Sequence, residues 1–185
     1  ILTKNLYNRY ENTLLIRLYI KGVIMRDKNK TLLFEQIYLE YKDNILKISM
    51  MYLKDYHLAE DAAQETFCRV LDKLHTLKDV TNIKPWITKI AVNICKDKLK
   101  KKSHTEIVTD YDNFNSPVNI AEKLDSRITV FQALQTLPIE LREVIILYYY
   151  QEITQNEIAK ILKVPETTVA YRLRSAKSKL KDYLR

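Results

Sequence analysis

The sequence predicts an all-α protein: two small helical bundles joined by a flexible linker, the second bundle containing a helix-turn-helix. Three observations point there. Apolar residues recur three or four apart through residues 32–102 and again through 127–185, and no segment of useful length alternates with the period of a strand. Between the two blocks, residues 103–126 are dominated by Ser, Thr, Asp and Asn and interrupted by Pro117, which is the composition of a tether. Near the C-terminus a short capped helix, a tight turn and a basic amphipathic helix follow one another.

In the first block, Phe34, Ile37, Tyr41, Ile45 and Ile48 mark one face of a helix. The polar break Lys54-Asp55-Tyr56-His57 separates it from a second. There Ala59, Ala63, Phe67, Val70 and Leu74 share one side, while Asp61, Glu65 and Asp72 point the other way. Residues 75–85 read as a loop, and Pro85 suits a first helical position because proline has no N–H to leave unsatisfied. A third helix runs from about Trp86 to Lys102, with Ile87, Ile90, Ala91, Ile94 and Leu99 as its buried stripe. Trp86 has the shape of a base-stacking platform, but its place in that stripe makes core packing the preferred assignment. The linker carries Glu106, Asp110 and Asp112; a solvated tether is the plain reading of those charges.

The second block opens with a helix through Val130, Leu134 and Leu137 that stops at Pro138, followed by one carrying Leu141, Ile145 and Tyr148. Thr154-Gln155-Asn156-Glu157 is a capping box, with Thr at the N-cap and Glu three residues on to return the hydrogen bond. Its short helix ends at Lys163-Val164-Pro165. On the long helix from Glu166, Val169, Leu173, Ala176 and Leu180 form a buried stripe. Thr167, Tyr171, Arg174 and Ser178 lie opposite, flanked by Arg172, Lys177, Lys179 and Lys181. In a helix-turn-helix the second helix enters the major groove and its first residues reach base edges, here Thr167, Thr168, Tyr171 and Arg174. Arg172 or Arg174 can pair bidentately with guanine or hold a phosphate, and the sequence leaves that choice open. A three-helix bundle with a solvated basic face is the plainer alternative.

Composition narrows the function. Lys and Arg number 31 against 23 Asp and Glu, a formal charge of +8, which favours a polyanionic partner. One glycine, Gly22, is too few for a phosphate-cradling loop or a dinucleotide fingerprint. Two cysteines, Cys68 and Cys95, without Cys-x-x-Cys spacing, argue against a disulfide framework or a structural zinc and for a reducing, cytoplasmic location. No apolar run reaches the roughly 20 residues a bilayer span needs. Asp61 and Glu65 stand one helical turn apart but lack a third ligand, and His57, His75 and His104 share no motif. Neither a metal, a cofactor nor an enzymatic activity is therefore expected. Residues 1–30 read as an N-terminal extension. Lys21-Gly22-Val23-Ile24-Met25 is what a ribosome-binding sequence before a start codon encodes, so translation is expected to begin at Met25.

From Leu32 to Leu184 the two blocks resemble the extracytoplasmic-function group of sigma factors in the sigma-70 family. Leu58-Ala59-Glu60-Asp61-Ala62-Ala63-Gln64-Glu65-Thr66-Phe67 looks like the family's region 2 helix. Trp86-Ile87-Thr88-Lys89-Ile90-Ala91-Val92-Asn93 matches its following segment, trailed by lysines to Lys102. Leu137-Pro138 through Arg142, Glu157-Ile158-Ala159, and Thr168-Val169 with Arg172-Leu173 are similar to region 4. The resemblance implies region 2 over 31–102, a linker over 103–126 and region 4 over 127–185.

It also implies partners and roles. Asp61, Gln64 and Glu65 would dock on the clamp of the largest catalytic subunit of core RNA polymerase, while region 4 meets the flap of the second largest. The loop from about Thr76 to Lys84 corresponds to the pocket for a flipped −10 base. Asn82, Lys84, Lys89, Asn93, Lys96, Lys98, Lys100 and Lys101 would contact the −10 strand, with Lys96, Lys98, Lys100, Lys101 and Lys102 gripping phosphate. Thr167, Thr168, Tyr171, Arg172, Arg174, Ser175 and Lys177 would contact the −35 element. An anti-sigma factor, often membrane-bound in the family, is the implied regulator, and no small-molecule substrate is implied. Region 4 departs from the family at Lys163 and Thr167, where Gly or a small residue is usual, and at Ala170 and Tyr171. These departures undercut any inherited −35 preference. The rival reading is a stand-alone helix-turn-helix regulator with residues 32–102 as a ligand-binding or dimerisation domain.

Overall fold

The computed structural model describes residues 28–77, 82–105 and 125–183, all of them helical or in turns. The N-terminal extension with its expected start at Met25, part of the 76–84 loop and most of the linker lie outside the described residues. The first bundle is three helices. Helix α1 (Lys28–Leu53) buries Phe34, Ile37, Ile45, Ile48 and Tyr52. It ends where Lys54 turns left-handed at φ 60° and donates its N–H to the Met50 carbonyl at 3.0 Å. Asp55 then caps α2 (Tyr56–Lys73), its carboxylate accepting the Leu58 N–H at 3.0 Å. The expected four-residue break is thus a two-residue turn, because a side-chain cap lets Tyr56 and His57 enter the helix.

A 3₁₀ turn, Leu74–Thr76, closes α2. Helix α3 (Ile83–Thr105) starts earlier and ends later than the apolar stripe predicts. Pro85 sits in its first turn, where N–H groups have no intrahelical acceptor, so the ring costs nothing there. The three helices pack on one another around Phe67, whose ring meets the edge of Tyr38 at 4.9 Å between centroids.

The second bundle comprises α4 (Asp125–Thr136), α5 (Ile139–Ile145), α6 (Gln155–Leu162) and α7 (Glu166–Tyr183). Leu134 and Leu137 are buried as expected, whereas Val130 is 52% exposed. Pro138 opens α5, and the helix widens into a π-type turn over Ile146–Tyr150. The capping box forms: the Glu157 N–H donates to Thr154 Oγ1, and the Thr154 N–H donates to Glu157 Oε2 at 3.1 Å. Lys163 takes the left-handed conformation at φ 58°, and the Val164 N–H reaches back to the Ala159 carbonyl at 3.1 Å. Val169, Leu173 and Ala176 are buried against α5 and α6. The bundles also touch: α3 lies against α6, and the buried apolar residues of both form one contiguous cluster.

Candidate nucleic-acid interface

Helix α7 sorts its residues as an amphipathic recognition helix must. Because Val169, Leu173 and Ala176 are held inward, Thr167, Tyr171, Arg174 and Ser178 fall outward, and Tyr171 is 65% exposed. Thr168 and Ser175 are half-buried on the flanks. The start of the helix is tied to the preceding turn by the Asn156 side chain, which donates to the Glu166 carboxylate at 3.3 Å. Lys177 stands over the Tyr149 ring, its Nζ 5.1 Å from the centroid. Arg172 differs from the rest of the set. Its guanidinium turns back into the bundle and donates to Glu143 Oε1 at 3.2 Å.

In the first bundle, Lys89, Lys100 and Lys101 are exposed along α3, Asn82 is exposed at its start, and Lys84 and Asn93 are half-buried. Lys98 reaches Glu65 of α2 at 3.8 Å, and Arg69 donates to the same carboxylate at 2.6 Å. These groups line an open groove of about 440 Å³ with Asp97, Lys100 and Lys101. The groove therefore brings Glu65 of α2 together with Lys98, Lys100 and Lys101 of α3, while exposed Asp61 and half-buried Gln64 lie outside its lining. Both partners of the Glu65–Arg69 pair stay about two-fifths exposed, so it contributes little to stability and its charges stay open to exchange.

Lys96 does not join that groove. Its Nζ lies 2.7 Å from Glu143 Oε2 of the second bundle. Glu143 was invisible as a functional residue in the sequence, since a Glu inside Leu141-Arg142-Glu143-Val144 looks like any helix charge. The carboxylate side chain is only 4% exposed. Burial pushes its pKa up, and the neighbouring Lys96 and Arg172 oppose that shift. Arg142 beside it is buried, hydrogen-bonded to the Gln135 side chain, and its pKa is lowered by burial. Further polar contacts cross the seam, from Lys54 Nζ to the Gln135 carbonyl at 3.1 Å and from Lys84 to Glu152 at 3.6 Å.

Among the described residues, neither thiol lines the groove, nor does His57 or His75. Cys95 is fully buried, its S–H facing Ser49 Oγ at 3.7 Å, and burial pushes its pKa up to about 12. Cys68 is half-buried, and His57 and His75 are exposed on separate turns. Among the described residues no group of three or more His, Cys, Asp and Glu converges as a metal site would require. No helix of the described residues is long and apolar enough to cross a membrane.

Comparison with known proteins fits this geometry. Residues 37–105 match the family model for sigma-70 region 2, and residues 127–180 that for sigma-70 region 4. The chain is 30% identical over 186 residues to the ECF RNA polymerase sigma factor SigW of Bacillus subtilis, an alignment covering 93% of this chain and 98% of that one. It is 29% identical over 153 residues to SigM of the same organism, covering 80% and 92%. Among solved structures it superposes on the sigma factor RpoE of Bartonella quintana, crystallised with the anti-sigma factor NepR. That match has a TM-score of 0.68 at 22% identity over 82% of this chain and 96% of the other. CnrH, solved with the cytosolic domain of CnrY, gives a TM-score of 0.61 at 18% identity, covering 91% and 96%.

Proposed function

The chain belongs to the extracytoplasmic-function group of sigma-70 RNA polymerase sigma factors, and from that membership we propose how its surfaces divide the work. It is a transcription-initiation factor that binds core RNA polymerase, recognises the −35 and −10 promoter elements and promotes DNA opening. Sigma factors are not enzymes, so the phosphodiester chemistry belongs to the polymerase. The stand-alone regulator is not favoured, because both sigma regions are present in order on one chain.

In this reading Asp61, Gln64 and Glu65 dock on the clamp of the largest catalytic subunit, where charge complementarity sets register and partner choice. Region 4 meets the flap of the second largest subunit. Lys98, Lys100 and Lys101, beside the docking face, take −10 phosphates, and Lys89 adds charge along the same helix. Asn82, Lys84 and Asn93 belong to the set that holds the opened −10 strand. Unstacking a base costs a few kcal/mol, so opening requires a surface that keeps the base once it is out. Thr167, Thr168, Tyr171 and Arg174 read the −35 major groove, with Ser175 and Lys177 on its phosphates. Arg172 serves that face when it is not held by Glu143. The domain limits 31–102, 103–126 and 127–185 belong to the same proposal, as do a cytoplasmic site of action and an anti-sigma factor as the natural inhibitor.

The observation that carries the reading is that α3 and α7 each expose basic side chains, while acidic residues of α2 lie beside the first. Runoff transcription tests it, with purified core polymerase and the promoter of this chain's own gene as template. A specific transcript that appears only when the chain is added is the expected result. Tight binding to a duplex operator with no effect on polymerase would overturn it.

A further inference from the structure

Of the large apolar side chains exposed among the described residues, Tyr171 is the most open, at 65%. A lone exposed aromatic is ordinary on a protein surface, but the place of this one is not. It lies in the outward row of α7, one turn beyond Thr167 and one turn before Arg174, both exposed. Val169, Leu173 and Ala176, held inward, fix which way that row faces. Tyr171 is also a position at which α7 departs from the family pattern. Its contribution to recognition therefore has to come from its own chemistry.

We propose that Tyr171 sets a base preference within the −35 element, its ring packing on the 5-methyl group of a thymine in the major groove. The inference rests on the functional reading above, which lays this face of α7 against that element.

The chemistry of the groove selects the base. Thymine alone offers an apolar group there, its methyl, beside the O4 acceptor. Cytosine presents an amino donor, and the purines present N7 with O6 or an amino group, so none of them gives a ring an apolar surface to cover. Tyrosine suits thymine on both counts, since the ring can cover the methyl while the hydroxyl donates to O4. The outward row Thr167, Tyr171, Arg174 and Ser178 holds none of the carboxamides or carboxylates that read adenine or cytosine. Ala170, half-buried beside Tyr171, brings no polar side-chain group to compete for the same base pair.

Spacing and energetics agree with that assignment. At 1.5 Å per residue, Thr167 and Tyr171 stand about 6 Å apart along the helix, and Tyr171 and Arg174 about 4.5 Å. Laid along the groove, the three span about three base-pair steps of roughly 3.4 Å, so the ring meets a pair between those its neighbours meet. Covering a methyl group takes apolar surface of both ring and base out of water, which is worth about fourfold in affinity. A tyrosine has two side-chain torsions, so little rotamer freedom is lost when its ring is fixed.

The test uses the full chain assembled with core polymerase, and copies of its own gene's promoter randomised across the −35 region. The parent holoenzyme should select thymine at a position where Tyr171→Ala selects no base and Tyr171→Phe still selects thymine. At that position uracil, which lacks only the methyl, should weaken retention about fourfold for the parent and leave Tyr171→Ala unaffected. Placed there, 5-methylcytosine should be retained better than cytosine by the parent and by Tyr171→Phe, and equally by Tyr171→Ala. The side chain is exposed, so all three chains should unfold at the same urea concentration, which separates lost contact from lost fold. A Tyr171→Ala holoenzyme that keeps every base preference of the parent, or a selective parent indifferent to uracil, would sink the proposal alone. A parent holoenzyme with no base preference anywhere in the region would sink the functional reading and the proposal together.

Discussion

Lys163 shows how a single backbone conformation carries information about a whole motif. Its φ of 58° is the left-handed region, where a Cβ crowds the following carbonyl and glycine alone escapes the cost. Lysine there is a departure from the family pattern at the turn of the helix-turn-helix, and the turn keeps its geometry because the cap hydrogen bonds to Ala159 hold it. Lys163→Gly should therefore stabilise the chain by about 1 kcal/mol in urea unfolding, the relief of left-handed strain less the extra entropy glycine brings to the unfolded chain. A destabilised variant would mean that the lysine side chain contributes more than its exposed position suggests. Cys95 makes the opposite point. Its thiol is held in the neutral form because burial outweighs the opposing pull of the Ser49 hydrogen bond and of Lys98.

Among the elements, the recognition helix depends on the short helix before it. Helix α6 has two turns and could not persist alone, since nucleation is unfavourable and few hydrogen bonds repay it. The reciprocal Thr154–Glu157 cap and the burial of Ile158, Ile161 and Leu162 hold it in place, and Asn156 passes the restraint to the start of α7. Thr154→Ala should cost about 1 kcal/mol of stability. Its effect on −35 duplex binding should exceed its effect on core polymerase binding, as filter retention of the two complexes would reveal. Helix α3 is built on a different plan. Its apolar stripe anchors it in the core, while Lys89, Lys100 and Lys101 are exposed and Lys96 and Lys98 pair with Glu143 and Glu65. In the proposed function, that division lets one rod be both a core element and a phosphate contact.

For the molecule as a whole, the proposed division of work makes charge the shared resource of three competitors: the chain itself, the polymerase and DNA. Glu65 binds Lys98 and Arg69 within one groove, and Glu143 binds Lys96 and Arg172 across two bundles. Docking of the acidic face would release Lys98 as polymerase cations replace it, coupling recruitment to strand capture. The division of labour can be separated by mutation. Asn93→Ala with Lys98→Ala should reduce open-complex formation about tenfold or more while leaving core binding near normal, for loss of a phosphate contact and a strand contact. Asp61→Ala with Gln64→Ala should do the reverse. Permanganate footprinting for opening and native-gel retention for core binding distinguish them, and equal losses in both assays from both pairs would contradict the assignment.

What the sequence determined by itself was everything governed by short-range rules. The 3.6-residue period exposed the buried faces of α1, α2, α3 and α7. The Thr154–Glu157 spacing announced a capped helix, and the outward row Thr167, Tyr171 and Arg174 followed from Val169 and Leu173 pointing in. Helix ends were less legible where a cap or a turn outweighed the apolar pattern, as at Asp55 and around Pro85. The seam lay beyond such reading. Whether Lys96, Arg172 and Glu143 face water, DNA or one another depends on how two bundles far apart in the chain come to rest. The free energy of a charge is set by that surrounding dielectric and not by its neighbours in sequence. Only the tertiary structure could decide it, by excluding water from one carboxylate and placing two cations against it.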